Sequence, residues 1–163
     1  MEIKGEFINL KSVEISDAEF ILNLRQNKEL NRFISSTSVN LEDQKKWIEN
    51  YFKRELEKKE FYFVVQNKEN ESCGTVRIYN IDSEKKECTW GSFILNKNRP
   101  DGASYETIKL SLNYAFKALG IEKVLLDVYK ENKKAIYIYE KSGFKKYSED
   151  DISYYYQKIK EEK

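Results

Sequence analysis

The sequence predicts an α/β protein: a mixed sheet with helices on both faces and the element order β-α-α-β-β-β-α-β-α-β-β. Three observations lead there. Apolar residues recur every three or four positions through 41–58 and 101–119, the period of an amphipathic helix. Between these stretches the period falls to two across 61–95, where aromatic and β-branched residues collect. A near-continuous apolar run follows at 123–129, and a strand reached from an earlier strand through a helix lies parallel to it by a right-handed crossover.

Residues 6–11 read as a first strand. Ser16 to Glu19 has the capping-box spacing, with Ile15 and Phe20 placed as a hydrophobic staple, and predicts a helix over 17–27. Asn40 is the cap of a second helix whose stripe is Leu41, Gln44, Trp47, Ile48, Tyr51 and Phe52. Strands over 61–66, 74–81 and 87–95 are separated by the turn-forming runs 67–70 and 82–85. The helix over 101–119 ends at Gly120, and a fourth helix over 132–142 ends at Gly143; both glycines suit a left-handed cap. Strands at 144–147 and 153–159 complete the order.

The chain has 163 residues, 29 basic and 28 acidic side chains, a formal net charge of +1, twelve Tyr and no His. This length, without repeats, linkers or composition shifts, predicts a single domain over 1–163 with a real core. Near-neutral charge supplies no global field for a nucleic acid or an anionic membrane, and no run is apolar enough to span one. The N-terminus lacks the flank and apolar stretch of a signal peptide, so a cytoplasmic protein is expected. Lack of histidine excludes Ser-His-Asp and Cys-His nucleophile systems and any histidine-bearing zinc site, and no metal is expected. Cys73 and Cys88 read as two buried thiols; Cys88 is expected opposite Tyr79, too far along the ladder from Cys73 to bridge.

In open sheets of this kind ligands bind where the carboxyl end of a strand meets the next helix, which directs attention to 96–106 and 127–139. The first segment is Asn98-Arg-Pro-Asp-Gly-Ala-Ser104. Gly102 suits a close backbone approach, Ala103 and Ser104 are small, and the free amides of a helix N-terminus receive phosphate oxygens, although Pro-Asp-Gly is also an ordinary turn. In the second segment the spacing of Asn132, Ala135 and Tyr139 places them on one helix face, ahead of Gly143-Phe144.

Taken together, these two motifs and their element order resemble the GNAT superfamily of acetyl-CoA-dependent N-acetyltransferases. The resemblance covers nearly the whole chain, with its sharpest signal in 90–144. It implies the GNAT-like acyl-CoA N-acyltransferase fold and acetyl-CoA as cofactor. Its pyrophosphate would be held by Arg99, Gly102 and Ser104 with the amides of Asp101, Ala103 and Tyr105; Ser104 stands where the family usually has Gly or Ala, and Pro100 removes one amide. Phe93 to Leu95 would lie along the pantetheine arm, and Asn132 and Ala135 would face the cofactor, Asn132 being equally readable as a helix cap. Tyr139 matches the family's general acid, a phenol that protonates the departing thiolate. The Glu that many relatives use as base, two residues before the Gly of Thr89-Trp90-Gly91, is replaced by Thr89. Asp127, an acid in an apolar strand, is then either the base or a backbone-bonded structural residue, and Glu87 is a second base candidate.

For the acceptor, Leu24-Arg-Gln-Asn27, Phe33-Ile-Ser-Ser36 and Gln44 with Trp47-Ile48 are similar to two subgroups, the ribosomal-protein N-terminal acetyltransferases and the amino-sugar-nucleotide N-acetyltransferases. Val76-Arg-Ile-Tyr-Asn-Ile-Asp82 followed by Thr89-Trp90-Gly91 leans toward the second. Arg25 and Arg77 suit a diphosphate, or surface ion pairs; Tyr79 and Trp90 suit stacking on a sugar or base, as does Trp47 unless it packs on the apolar stripe of its helix. The resemblance thus implies acetyl transfer to a primary amine of a small molecule, by direct attack in a ternary complex, in a monomer or homodimer. A protein N-terminal acetyltransferase and a non-catalytic acyl-CoA-binding module are the alternatives.

Overall fold

A computed structural model describes residues 1–27 and 40–161. Its strands are β1 (Glu2–Lys4), β2 (Ile8–Ser12), β3 (Phe61–Asn67), β4 (Ser72–Asp82), β5 (Glu87–Leu95), β6 (Lys123–Tyr129), β7 (Lys145–Glu149) and β8 (Ser153–Ile159). Its helices are α1 (Ala18–Gln26), α2 (Leu41–Leu56), α3 (Ala103–Asn113) and α4 (Lys133–Lys141). The strands form one sheet in the order β1-β2-β3-β4-β5-β6-β8-β7. Every neighbouring pair is antiparallel except β5 and β6, which the crossover through α3 makes parallel.

Alternation along β3 divides the core. Phe61, Phe63 and Val65 face one cluster with α3 residues Ile108 and Leu112, Trp90 of β5 and Tyr139 of α4. Tyr62 and Val64 face a smaller cluster with Ile21 of α1 and Ile48 and Tyr51 of α2. Tyr51 is fixed by a hydrogen bond from the Tyr62 amide to its hydroxyl at 2.8 Å and by a short contact with Glu55.

Several expectations shift. The N-terminal strand is a hairpin, β1 with β2, where only one strand is predicted. The capping box lies at Glu14 and Asp17, two residues early: Asp17 accepts from the Glu14 amide at 2.9 Å and pairs with Lys11 at 2.9 Å, which draws the helix start back through a 3-10 turn over Ile15–Asp17. The helix over 101–119 is α-helical only to Asn113. It then widens into one π turn, in which the Leu119 amide reaches the Tyr114 carbonyl at 3.1 Å, while the Tyr114 ring meets Phe61 and Phe63 edge-on at 5.3 and 5.7 Å. Gly120 and Gly143 take left-handed φ of +69° and +97°, as helix-ending glycines should. Residues 33–36, singled out for the acceptor, lie outside the described residues.

One irregularity shapes everything that follows. Between Thr75↔Ile94 and Arg77↔Gly91 the β4–β5 register slips, and Ser92 sits in the gap with φ +50°, its carbonyl taken by the Thr75 hydroxyl at 2.9 Å. A bulge bends its strand and raises its twist. On the other side, β5 pairs with β6 only at Glu87↔Lys123, Cys88↔Val124 and Thr89↔Leu125. Beyond these pairs the two parallel strands part. The register also puts Thr89, not Cys88, opposite Tyr79. Both thiols are free and buried, and burial pushes Cys73 up to about 11 and Cys88 up to about 12.

Candidate active site

Parting of β5 from β6 opens a cleft of about 770 Å³ walled by both strands, α4 and the segment before α3. The ladder ends at Thr89, so the later β5 residues Ser92, Phe93 and Leu95 line the cleft along an unpaired edge, and Leu126 to Tyr129 of β6 line the opposite wall. An open strand edge of this kind offers N–H and C=O groups to an extended ligand.

At one end the cleft meets the loop before α3. Gly102 is the N-cap with φ +86°, a conformation that favours glycine, and no side chain caps the helix. Arg99, Asp101, Gly102, Ala103, Ser104 and Tyr105 line a concavity there, and Arg99 and Ser104 also reach the cleft itself. The amides of Asp101, Ser104 and Tyr105 have no acceptor among the described residues, whereas the Ala103 amide is already engaged by the Pro100 carbonyl at 3.2 Å. Ala103 therefore serves as a buried anchor of the turn and its amide is not among the open donors, which corrects one expected contact. The open amides with the positive end of α3 suit an anion, and Arg99 adds a full charge.

On the α4 wall, Asn132 caps the helix by accepting from the Ala135 amide at 3.3 Å, so the capping reading and the cleft-facing reading hold together: Asn132 and Ala135 both line the cleft. Tyr139, one turn further on, is 8% exposed. Its ring is held by Trp90, edge-on at 5.5 Å, and by Phe144 at 6.1 Å, while its hydroxyl takes no hydrogen bond among the described residues. Burial, and behind it the Asp127 charge, raise its pKa above the ordinary phenol range. The group is a fixed O–H donor at neutral pH.

Asp127 lines the opposite wall from an exposed position on β6, directly across from Tyr155 of β8. Glu87 does not reach the cleft. It opens β5 within the paired stretch and forms an ion pair with Lys123 at 3.6 Å, so the second base candidate is removed by its place on the strand. Trp90 is also corrected. It is only 2% exposed, its indole N–H bonds to Ser111 Oγ at 2.9 Å, and its ring supports Tyr139 and Phe93, so it is a wall of the site and no open stacking surface.

Beyond Asp127 the cleft ends among Arg25, Arg77 and Tyr79. The Arg77 guanidinium lies 3.9 Å from the Tyr79 ring centre, stacked on it, and 3.8 Å from Glu60, while Arg77 Nε has no hydrogen-bond partner among the described residues. Glu60 also holds Arg54 at 3.1 Å. Trp47 stays outside the cleft: it packs against Tyr51 and Tyr62, with Arg54 over its ring at 5.0 Å. Glu60 carries no sequence signal, because its role comes from burial beside Arg54 and Arg77, which reach it from α2 and β4. Among the described residues no cluster of acid, Cys or His side chains could hold a metal, and no helix is long and apolar enough to cross a membrane.

The chain is similar in sequence and fold to known proteins. The sequence model described as an acetyltransferase (GNAT) domain matches residues 8–145. A spermidine N(1)-acetyltransferase of Vibrio cholerae is 27% identical over 137 residues, 84% of this chain and 78% of its own. A solved structure of FdhC, described as a nucleotide-linked sugar GNAT, superposes with a TM-score of 0.90 at 36% identity, covering 98% of this chain and 90% of that one. The spermidine N-acetyltransferase of Vibrio cholerae, solved with CoA and spermine, gives a TM-score of 0.83 at 22% identity over 95% of this chain and 96% of its own. The chain belongs to the GNAT acetyltransferase family and is an N-acetyltransferase; the family uses acetyl-CoA.

Proposed function

We propose that this GNAT acetyltransferase moves the acetyl group of acetyl-CoA to the primary amine of a small anionic molecule, an amino-sugar nucleotide being the acceptor that suits the cleft best. The observation that carries the acceptor is charge. Arg25, Arg77, Arg99 and Lys134 line the cleft, against Asp127 as its one acidic residue among the described lining. Arg99 and Lys134 lie on the side assigned to the cofactor. The acceptor end is left with two guanidiniums and a tyrosine face. Guanidiniums recognise phosphate in a bidentate manner, while a polyamine would meet two guanidiniums here against the single cleft-lining carboxylate of Asp127. The likeness to a nucleotide-linked sugar acetyltransferase supports the same choice.

The residues present fit the cofactor. The unpaired β5 edge at Phe93 to Leu95 offers main-chain groups to the amide-bearing arm, and the open amides of Asp101, Ser104 and Tyr105 with Arg99 offer donors to the pyrophosphate. Bound acetyl-CoA supplies the thioester carbonyl and its thiolate leaving group. Asp127 takes a proton from the incoming ammonium, directly or through water, which frees the nitrogen lone pair to form the new C–N bond as the C–S bond breaks. Tyr139 donates its proton to the departing sulfur. Direct attack is favoured over a cysteinyl intermediate, because both thiols are buried with raised pKa and the chain has no histidine to activate them.

The test is release of free thiol from acetyl-CoA against amino-sugar nucleotides, polyamines, aminoglycosides and N-terminal peptides. The expected outcome is turnover of an amino-sugar nucleotide, with Arg77→Gln raising its KM about tenfold and altering kcat little. Turnover of spermidine in preference, indifferent to Arg77, would overturn the acceptor assignment and leave the acetyl-CoA assignment standing.

A further inference from the structure

The N-terminal hairpin and the loop before α3 grip one another through contacts that no spacing in the sequence announces. Glu106 lies in the first turn of α3, and its carboxylate accepts three successive backbone N–H groups, two from the turn between β1 and β2 and one from the first residue of β2. Oε2 receives the Glu6 amide at 2.9 Å; Oε1 receives the Phe7 and Ile8 amides at 2.7 and 2.8 Å. Gly5 leaves room for this: a Cβ there would meet Glu106 Oε1 at 2.4 Å and the Ile8 carbonyl at 2.7 Å. The hairpin returns the contact. The Phe7 ring lies over Gly102, where a Cβ would meet its Cδ2 at 3.1 Å.

Two physical consequences follow. Gly102, the left-handed residue at which the loop becomes α3, is pressed from outside by Phe7, whose backbone is held by the same helix. In addition, a free carboxylate in this turn would favour the helix dipole but repel phosphate oxygens; with three amides on it, the charge of Glu106 is compensated and turned toward the hairpin.

We propose that Glu106, acting with Phe7, is a positioning residue for the pyrophosphate loop: it holds Asp101 to Tyr105 in the shape that presents the open amides of Asp101, Ser104 and Tyr105, and it masks its own charge beside an anion site. The inference rests on the acetyl-CoA reading of that loop. Glu106 itself touches the hairpin and not the cofactor.

The decisive measurement compares ligands with and without phosphate. Glu106→Gln keeps the side chain's size but turns an N–H₂ donor toward the amides. In calorimetry its Kd for CoA should rise about tenfold, with kcat at saturating acetyl-CoA within about twofold of the parent and the KM for S-acetylpantetheine, which has no pyrophosphate, unchanged. Phe7→Ala, at a partly exposed side chain, should shift the CoA Kd in the same direction and serves if Glu106→Gln does not fold. Unchanged CoA affinity in the folded variants overturns the inference alone, as does an equal loss with S-acetylpantetheine. A parent that binds no CoA overturns the cofactor reading and the inference with it.

Discussion

The two ends of the cleft are built differently. The end proposed for the cofactor draws on two short stretches, 93–105 and 132–139, in which strand, loop and helix follow one another directly, and much of what it offers is backbone groups. The end proposed for the acceptor is assembled from Arg25 on α1, Arg77 and Tyr79 on β4 and Asp127 on β6, side chains from three elements that meet only when the sheet forms. Backbone recognition constrains sequence through a few small residues and a spacing. Side-chain recognition leaves its residues free to vary with the acceptor.

The largest expected effect falls where the two ends meet. Tyr139→Phe should lower kcat about a hundredfold while leaving the CoA Kd within about twofold, read by steady-state turnover and calorimetry. The raised pKa adds a pH signature: the phenol keeps its proton, so kcat of the parent should not decline between about pH 8 and 10 through this group. Equal kcat in parent and variant would remove Tyr139 as the acid.

Next comes Asp127→Asn, which should lower kcat/KM for the acceptor about thirtyfold, with CoA binding untouched. An unchanged kcat/KM would pass the proton to solvent and make Asp127 a structural acid of β6. The smallest effect tests the cofactor end alone. Gly102→Ala forces a Cβ into a left-handed backbone against Phe7 and should cost about 1–2 kcal/mol of stability, read as a lower Tm, together with weaker CoA binding and an unaltered acceptor KM. If the acceptor KM moved as well, the two ends would be coupled more tightly than their construction suggests.

Local signals carried most of the fold. The strands at 87–95, 123–129 and 153–159 stand where alternation and apolar runs put them, and both helix-ending glycines are left-handed. The misses share one cause. The β1–β2 hairpin is latched by Glu106, about a hundred residues away; the start of α1 is drawn back by Lys11 through Asp17; and α3 widens into a π turn where Tyr114 meets Phe61 and Phe63. In each case a tertiary partner overrides a local propensity.

The candidate site divides in the same way. Tyr139, Asn132 and Ala135 share a face because a helix repeats every 3.6 residues, and the loop from Arg99 to Tyr105 sits at a helix start because strand and helix periods flank it. These the sequence determined by itself. It could not decide whether Trp90 was open for stacking or buried, whether Glu87 or Asp127 reached the cleft, or that Glu60 would be buried between Arg54 and Arg77. Those outcomes depend on register. The bulge at Ser92 and the end of the β5–β6 ladder at Thr89 choose which side chains face the opening, and one residue of slip exchanges the two faces of a strand, so only the assembled sheet could decide them.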